Sequence, residues 1–168
     1  MDAQQLKALQ TPLKEAYRED AGRALITLRA HGSVDDQSIA CKVETGRAIV
    51  TAGLHPATGG TGMELCSGDM LLEALVACAG VTLKAVATAL EFRLGEARVS
   101  AEGDLDFRGT LGVARDAQVG FRTIRLAFKL DTDEPQERID TLIKLTERYC
   151  VVFQTLNLRP ELVVSAIR

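Results

Sequence analysis

Four cysteines (Cys41, Cys66, Cys78 and Cys150) and two histidines (His31 and His55) are the residues of this 168-residue sequence with the most chemistry to offer. Zinc sites draw their ligands in close pairs such as CxxC or HxxxH, and none of these six residues is so paired. The sequence has no phosphate-binding glycine loop, no GxGxxG after a strand and no GxSxG turn, so it carries no cofactor motif. What remains is thiol chemistry, in which the thiolate is the nucleophile. Cys78 lies within LLEALVACAGVTL, and Cys150 stands between ERY and VVFQTL. A cysteine in such a setting is either a small buried hydrophobe or a reactive thiol, and the residues alone leave both readings open. Cys41, in a strand, and Cys66, in a loop, read as incidental. His31, at a strand end, and His55, in a glycine-rich loop, are predicted to face solvent.

The elements around these residues follow from periodicity. Residues 3–18 place Leu6, Leu9, Leu13 and Tyr17 at helical spacing, and Thr11-Pro12 in their middle predicts two short helices or one broken one. Residues 24–31 and 38–44 alternate as strands around the turn SVDDQ, and AIVTAG after Thr45-Gly46-Arg47 extends them to an antiparallel meander. Residues 53–68 are rich in glycine and read as a long loop of the kind that often serves function. Residues 69–91 form a long apolar helix, with Asp69 at its N-cap or in its first turn, where a carboxylate suits the free amides and the dipole.

Glu73 and Lys84 interrupt that run and leave only residues 74–83 uncharged. That is short of the roughly 20 residues a bilayer requires, so a buried helix is expected rather than a membrane span. Two alternating strands follow, with Ile124, Leu126, Phe128 and Leu130 on one face of the second. A helix is predicted from Asp133 as cap, with Pro135 in the first turn and Gln136 completing a capping box, and Ile139, Leu142, Ile143 and Thr146 inward. The helix ends near Tyr149, and ELVVSAIR reads as a closing strand. The order predicts an α+β fold with helices packed on one face of an antiparallel sheet. A helix apolar on nearly all sides needs cover all round, which points to a second subunit and a C2 dimer.

Composition bounds the function. The apolar fraction of 46% and charged fraction of 26% are those of a globular chain, which excludes general disorder. A net charge of −3 with 4% aromatic residues and no tryptophan provides neither a basic footprint nor stacking platforms for nucleic acid. The first twenty residues lack the pattern of a signal peptide, so a cytoplasmic protein without a membrane partner is expected.

The run SGDMLLEALVACAGVTL, followed 72 residues after its cysteine by the cysteine of ERYCVVFQTL, resembles the OsmC/Ohr family of osmotically inducible and organic hydroperoxide resistance proteins. HPATGGTG before the helix is similar to the glycine-rich stretch of relatives. The resemblance covers about residues 22–168, which implies a single domain over 1–168 with residues 1–20 as a helical extension. It implies an intertwined homodimer of curved antiparallel sheets packed on buried central helices. It also implies that Cys78 attacks an organic hydroperoxide, becomes a sulfenic acid and is resolved by Cys150, with a dithiol as reductant and no cofactor or metal.

In relatives a Glu near the helix start pairs with an Arg that activates the first cysteine. Here Gly68 stands at the aligned position with Asp69 beside it, Glu73 projects from the apolar helix, and Arg47, then Arg29, are the candidate arginines. Val151 replaces the family's proline after the second cysteine. Two other readings accompany the peroxidase: a non-catalytic dimer that binds a small hydrophobic ligand at its interface, and a different enzyme with Cys78 as nucleophile.

Overall fold

The protein is seen here as a computed structural model that describes residues 3–34, 41–43, 52–63 and 65–166. Helix α1 spans Ala3–Glu19. A single helix runs through the predicted break: Pro12 lies inside it and has no N–H to offer the Ala8 carbonyl. Its C-terminal end is held from outside, because Tyr17 is buried in the core and its hydroxyl donates to the Ala57 carbonyl at 2.7 Å.

Strands β1 (Leu25–Val34), β2 (Cys41–Val43), β5 (Ala97–Asp106) and β6 (Phe121–Leu130) form one antiparallel sheet in the order β2-β1-β5-β6. The third strand of the expected meander differs. Its described end, β3 (Ala52–Gly53), pairs in parallel with β4 (Leu65–Cys66) instead of joining this sheet, while residues 44–51 lie outside the described residues. One face of the sheet carries polar groups such as Thr27, Asp104 and Arg125, with Arg125 donating to both Asp104 oxygens at 2.6 and 2.8 Å. The other face turns Val99 and Ala101 of β5 and Ile124, Leu126 and Phe128 of β6 inward. The buried Gly103 belongs to this pattern, since a side chain there would collide with the Phe121 ring that lies over it.

Helix α2, Ser67–Ala89, packs across β1 and β5. By length and composition alone it could cross a membrane, but Leu72, Leu75, Val76, Ala79 and Leu83 are buried among the core side chains. Its opposite stripe, Met70, Ala74 and Val81, stays exposed. Asp69 falls in the first turn, and the N-cap is Cys66, which makes no side-chain cap bond. The short helix α3 (Phe107–Thr110) opens the connection from β5 to β6, capped by Asp106.

Helix α4 runs Gln136–Tyr149. Its start departs from the expected cap: Pro135 is the N-cap, Gln136 opens the helix, and Asp133 pairs instead with Arg93 at 3.3 Å. A stronger set of partners decides this. The Glu134 carboxylate accepts the Arg93 backbone N–H at 3.0 Å and Arg138 Nη1 at 2.8 Å, while Arg138 Nη2 donates to the Leu90 carbonyl at 2.8 Å. The carboxylate thereby ties the end of α2 to the first turn of α4. Leu142 then docks, fully buried, against the Leu83, Val86 and Phe92 cluster.

The chain does not close as a strand. Residues Val151–Leu158 form helix α5, and residues 159–166 have no regular element. Leu162, Val163 and Val164 there are 84–93% exposed. A strand needs a ladder partner, and among the described residues this segment has none.

Candidate active site

The site is built where α2 meets the joint of α4 and α5. Cys78 lies at mid-length of α2, one turn after Leu75, half-buried against the core. Cys150 is fully buried and serves two helices at once. Its N–H closes the last turn of α4 on Thr146 at 2.9 Å, and its carbonyl accepts the Gln154 N–H of α5 at 2.9 Å. The first amides of a helix have no carbonyl of their own helix to bond. Here they lie beside sulfur: the Val152 and Val151 amides lower the pKa of Cys78, and the Phe153 amide acts in the same direction on Cys150. The two thiols neighbour each other closely enough to shift each other's titration, and the Thr82 hydroxyl, one turn beyond Cys78, adds to the lowering at Cys78.

These contacts split the two thiols. Burial pushes Cys78 up, but the hydrogen bonds from the Val152 amide, Cys150, the Val151 amide and Thr82 outweigh it, and its pKa lies below the ordinary thiol value. Burial, joined by the neighbouring Cys78 sulfur and opposed by the Phe153 amide, pushes Cys150 up to about 11. Cys78 is therefore the more acidic thiol of the two, and Cys150 the one that holds its proton. Helix N-termini favour anions through their free amides and their dipole, so α5 does work that sequence reading assigned to an arginine.

The remaining sequence candidates lie elsewhere. Asp69 precedes Cys78 by nine residues, about 13 Å along the helix axis, and sits with His55. Burial pushes the Asp69 carboxyl up, the imidazole opposing, and burial likewise lowers His55. His55 does not face solvent. Its ring stacks on Phe107 at 4.8 Å, and its Nδ1 accepts the Ala57 N–H at 3.0 Å, so a neutral ring carries its proton on Nε2. Glu73 is half-buried, its carboxyl raised by burial and by Asp69. Five residues from Cys78, it points away around the helix. Arg47 lies outside the described residues, and Arg29 stands on β1 in register with Glu102. The structure thus brings Cys78 and Cys150 together and places Asp69 and Glu73 away from them. Sequence reading missed Thr82 and the α5 amides. The one available signal was an i+4 hydroxyl after a candidate thiol.

A cavity of about 460 Å³ between β6 and α5 is walled by Leu75, Phe121, Ile124, Phe128, Phe153 and Leu156. Leu75 and Phe153 flank the cysteine pair, while Cys78 itself stands outside the lining. A second cavity of about 610 Å³ shares Phe121, Ile124 and Leu156 and runs on to His55 and Cys66. Among the described residues no group of three or more His, Cys, Asp or Glu side chains is placed to hold a metal ion.

This is an α+β chain whose central helix sets one free cysteine beside another at the joint of two later helices. The chain belongs to the OsmC-like family, whose sequence profile matches residues 60–165. An OsmC-like protein from Mycoplasma pneumoniae shares the fold with a TM-score of 0.55 at 16% identity, over 79% of this chain and 85% of that one. An OsmC-like hydroperoxide resistance protein from Jannaschia sp. CCS1 does so with a TM-score of 0.57 at 16% identity, over 86% of this chain and 91% of that one. Among curated protein sequences none matches.

Proposed function

We propose that this protein is a cysteine-based peroxidase that reduces organic hydroperoxides, alkyl or lipid, in defence against oxidative stress. The observation that carries the reading is the split pair: a thiol of lowered pKa at Cys78 beside a buried thiol of raised pKa at Cys150. Cys78 Sγ attacks the terminal peroxide oxygen and the O–O bond breaks. Its electron pair leaves on the alkoxide, which takes a proton from solvent, giving a sulfenic acid and an alcohol. The negative charge on Cys78 is then gone, and with it one of the influences that kept Cys150 protonated. Cys150 loses its proton and attacks the sulfenic sulfur, water departs, and a Cys78–Cys150 disulfide remains. A dithiol supplies the two electrons and two protons that reset the pair. Apolar cavity walls beside the pair favour alkyl-bearing peroxides over hydrogen peroxide. Membership of the OsmC-like family supports this class of activity and a homodimer, in which the exposed stripe of α2 faces a second subunit. The domain then comprises the whole chain, with α1 as an N-terminal extension, and it works in the cytoplasm.

Free thiols counted on the reduced protein, before and after one equivalent of cumene hydroperoxide, test the reading. Loss of two of the four thiols, restored by a dithiol and abolished by Cys78→Ser, is expected. Four thiols persisting through a tenfold peroxide excess would overturn it. That result would favour a ligand-binding member of the fold, which the two apolar cavities suit.

A further inference from the structure

The turn Pro56–Thr58 beside α1 hangs on one histidine. The His55 carbonyl accepts the Thr58 N–H at 2.8 Å, the Thr58 hydroxyl at 2.9 Å and the Gly60 N–H at 3.1 Å. The His55 side chain caps the same turn, its Nδ1 accepting the Ala57 N–H at 3.0 Å. Serine, threonine, aspartate and asparagine ordinarily fill such a place, and none of them titrates near neutral pH. A histidine makes the cap depend on a lone pair that a proton can take.

The same turn fastens α1. Ala57, whose N–H meets the His55 ring, gives its carbonyl to the buried Tyr17 hydroxyl at 2.7 Å. Gly59, at a φ of 93°, passes so close to α1 that a side-chain carbon there would sit 3.1 Å from Leu9 Cβ. On its other side the His55 ring stacks on the buried Phe107 of α3, with ring centres 4.8 Å apart. Among the described residues, the charged and titratable groups around the ring are Asp69 in the first turn of α2, Arg159 across the shared cavity, and Tyr17 with Arg23 on the α1 side. Arg108 of α3 is taken up by Asp106.

We propose that His55 is a proton-operated clasp for α1: a proton on Nδ1 sets two donors against each other, the turn shifts, Tyr17 loses the Ala57 carbonyl and α1 is released. The clasp is independent of the chemistry of the cysteine pair. Burial holds His55 below the usual histidine range, with Asp69 opposing. The clasped form therefore binds the proton more weakly than the released form. Docking is complete well above about pH 6.5 and is lost as the pH falls below it. A lone helix with Pro12 inside it is marginal in water, so release shows as lost amide protection.

The test follows deuterium uptake, corrected for intrinsic exchange, from about pH 8 to about pH 5. Peptides from α1 report the clasp and peptides from α4 report the fold. In wild type, protection of α1 should fall roughly tenfold per pH unit below about pH 6.5 until His55 is fully protonated, while α4 keeps its protection. His55→Asn offers Ala57 an acceptor that does not titrate, and its α1 should stay protected across the range. His55→Ala offers none, and at the alkaline end it should already show the weak protection that wild type reaches only in acid. Constant protection of α1 in wild type overturns the clasp. So does an equal fall in His55→Asn, which assigns the response to another group, Asp69 first. Joint loss in α1 and α4 marks acid unfolding of the whole chain and overturns it as well.

Discussion

Cys78→Ser should abolish hydroperoxide consumption, lowering the rate on the order of a thousandfold or more, as expected when a covalent nucleophile is removed. Cys150→Ser should give a different kind of loss. Its Cys78 still has the α5 amides that lower its pKa, so the first attack proceeds. No neighbouring thiol then resolves the sulfenic acid. One equivalent of hydroperoxide per chain is consumed in a burst, and turnover with a dithiol falls to the slow rate at which that reductant reaches Cys78 directly. A sulfenic acid trap such as dimedone should label Cys150→Ser and leave Cys78→Ser unlabelled. Burst-phase stopped flow with cumene hydroperoxide separates the two variants. Equal bursts from both would remove Cys78 from its place as the attacking thiol.

Leu142→Ala should be the most damaging single truncation outside the cysteine pair, with a loss of about 2–5 kcal/mol in unfolding free energy. Leu142 is fully buried, and it joins α4 to the far end of α2 against Leu83, Val86 and Phe92. That contact decides where α4 ends, and Cys150 lies at that end. Urea denaturation should show a lower midpoint with little change in slope. Leu142→Met, which nearly conserves volume, should lose less than about 1.5 kcal/mol. If the alanine variant unfolds like wild type, α4 is not held by this contact.

The elements with strong periodicity were legible in the sequence. Alternation in β5 and β6 is a direct record of which side chains are buried. The same holds for Ile139, Leu142 and Thr146 in α4. The apolar run of α2 announced a core helix without showing which of its faces is covered. What the sequence hid depends on partners far along the chain. Residues 151–158 are rich in β-branched and aromatic side chains, yet they form a helix because Val152, Phe153 and Leu156 pack on the core. The expected cap at Asp133 lost to a carboxylate, Glu134, whose partners Arg93 and Arg138 come from both sides of it. His55 looked like a loop residue facing water because nothing in its neighbourhood announces Phe107, 52 residues on. The same limit applied to the site. The two cysteines could be picked out by context and by family resemblance, whereas the donors that distinguish them are backbone amides, which carry no letter in a sequence.

Cys78 and Cys150 stand 72 residues apart in the chain, and the fold makes them neighbours. A bond between them would close a loop of that size and, on chain-entropy grounds, stabilise the folded protein by about 4 kcal/mol. The chemical state of one pair and the durability of the whole molecule are therefore linked. In the proposed cycle each reduction by a dithiol would reset the centre and also return the chain to its looser form, which proteases reach more readily through unfolding. Under sustained oxidant the protein would persist, and as the oxidant fades it would become easier to clear, so its abundance would follow the demand for it.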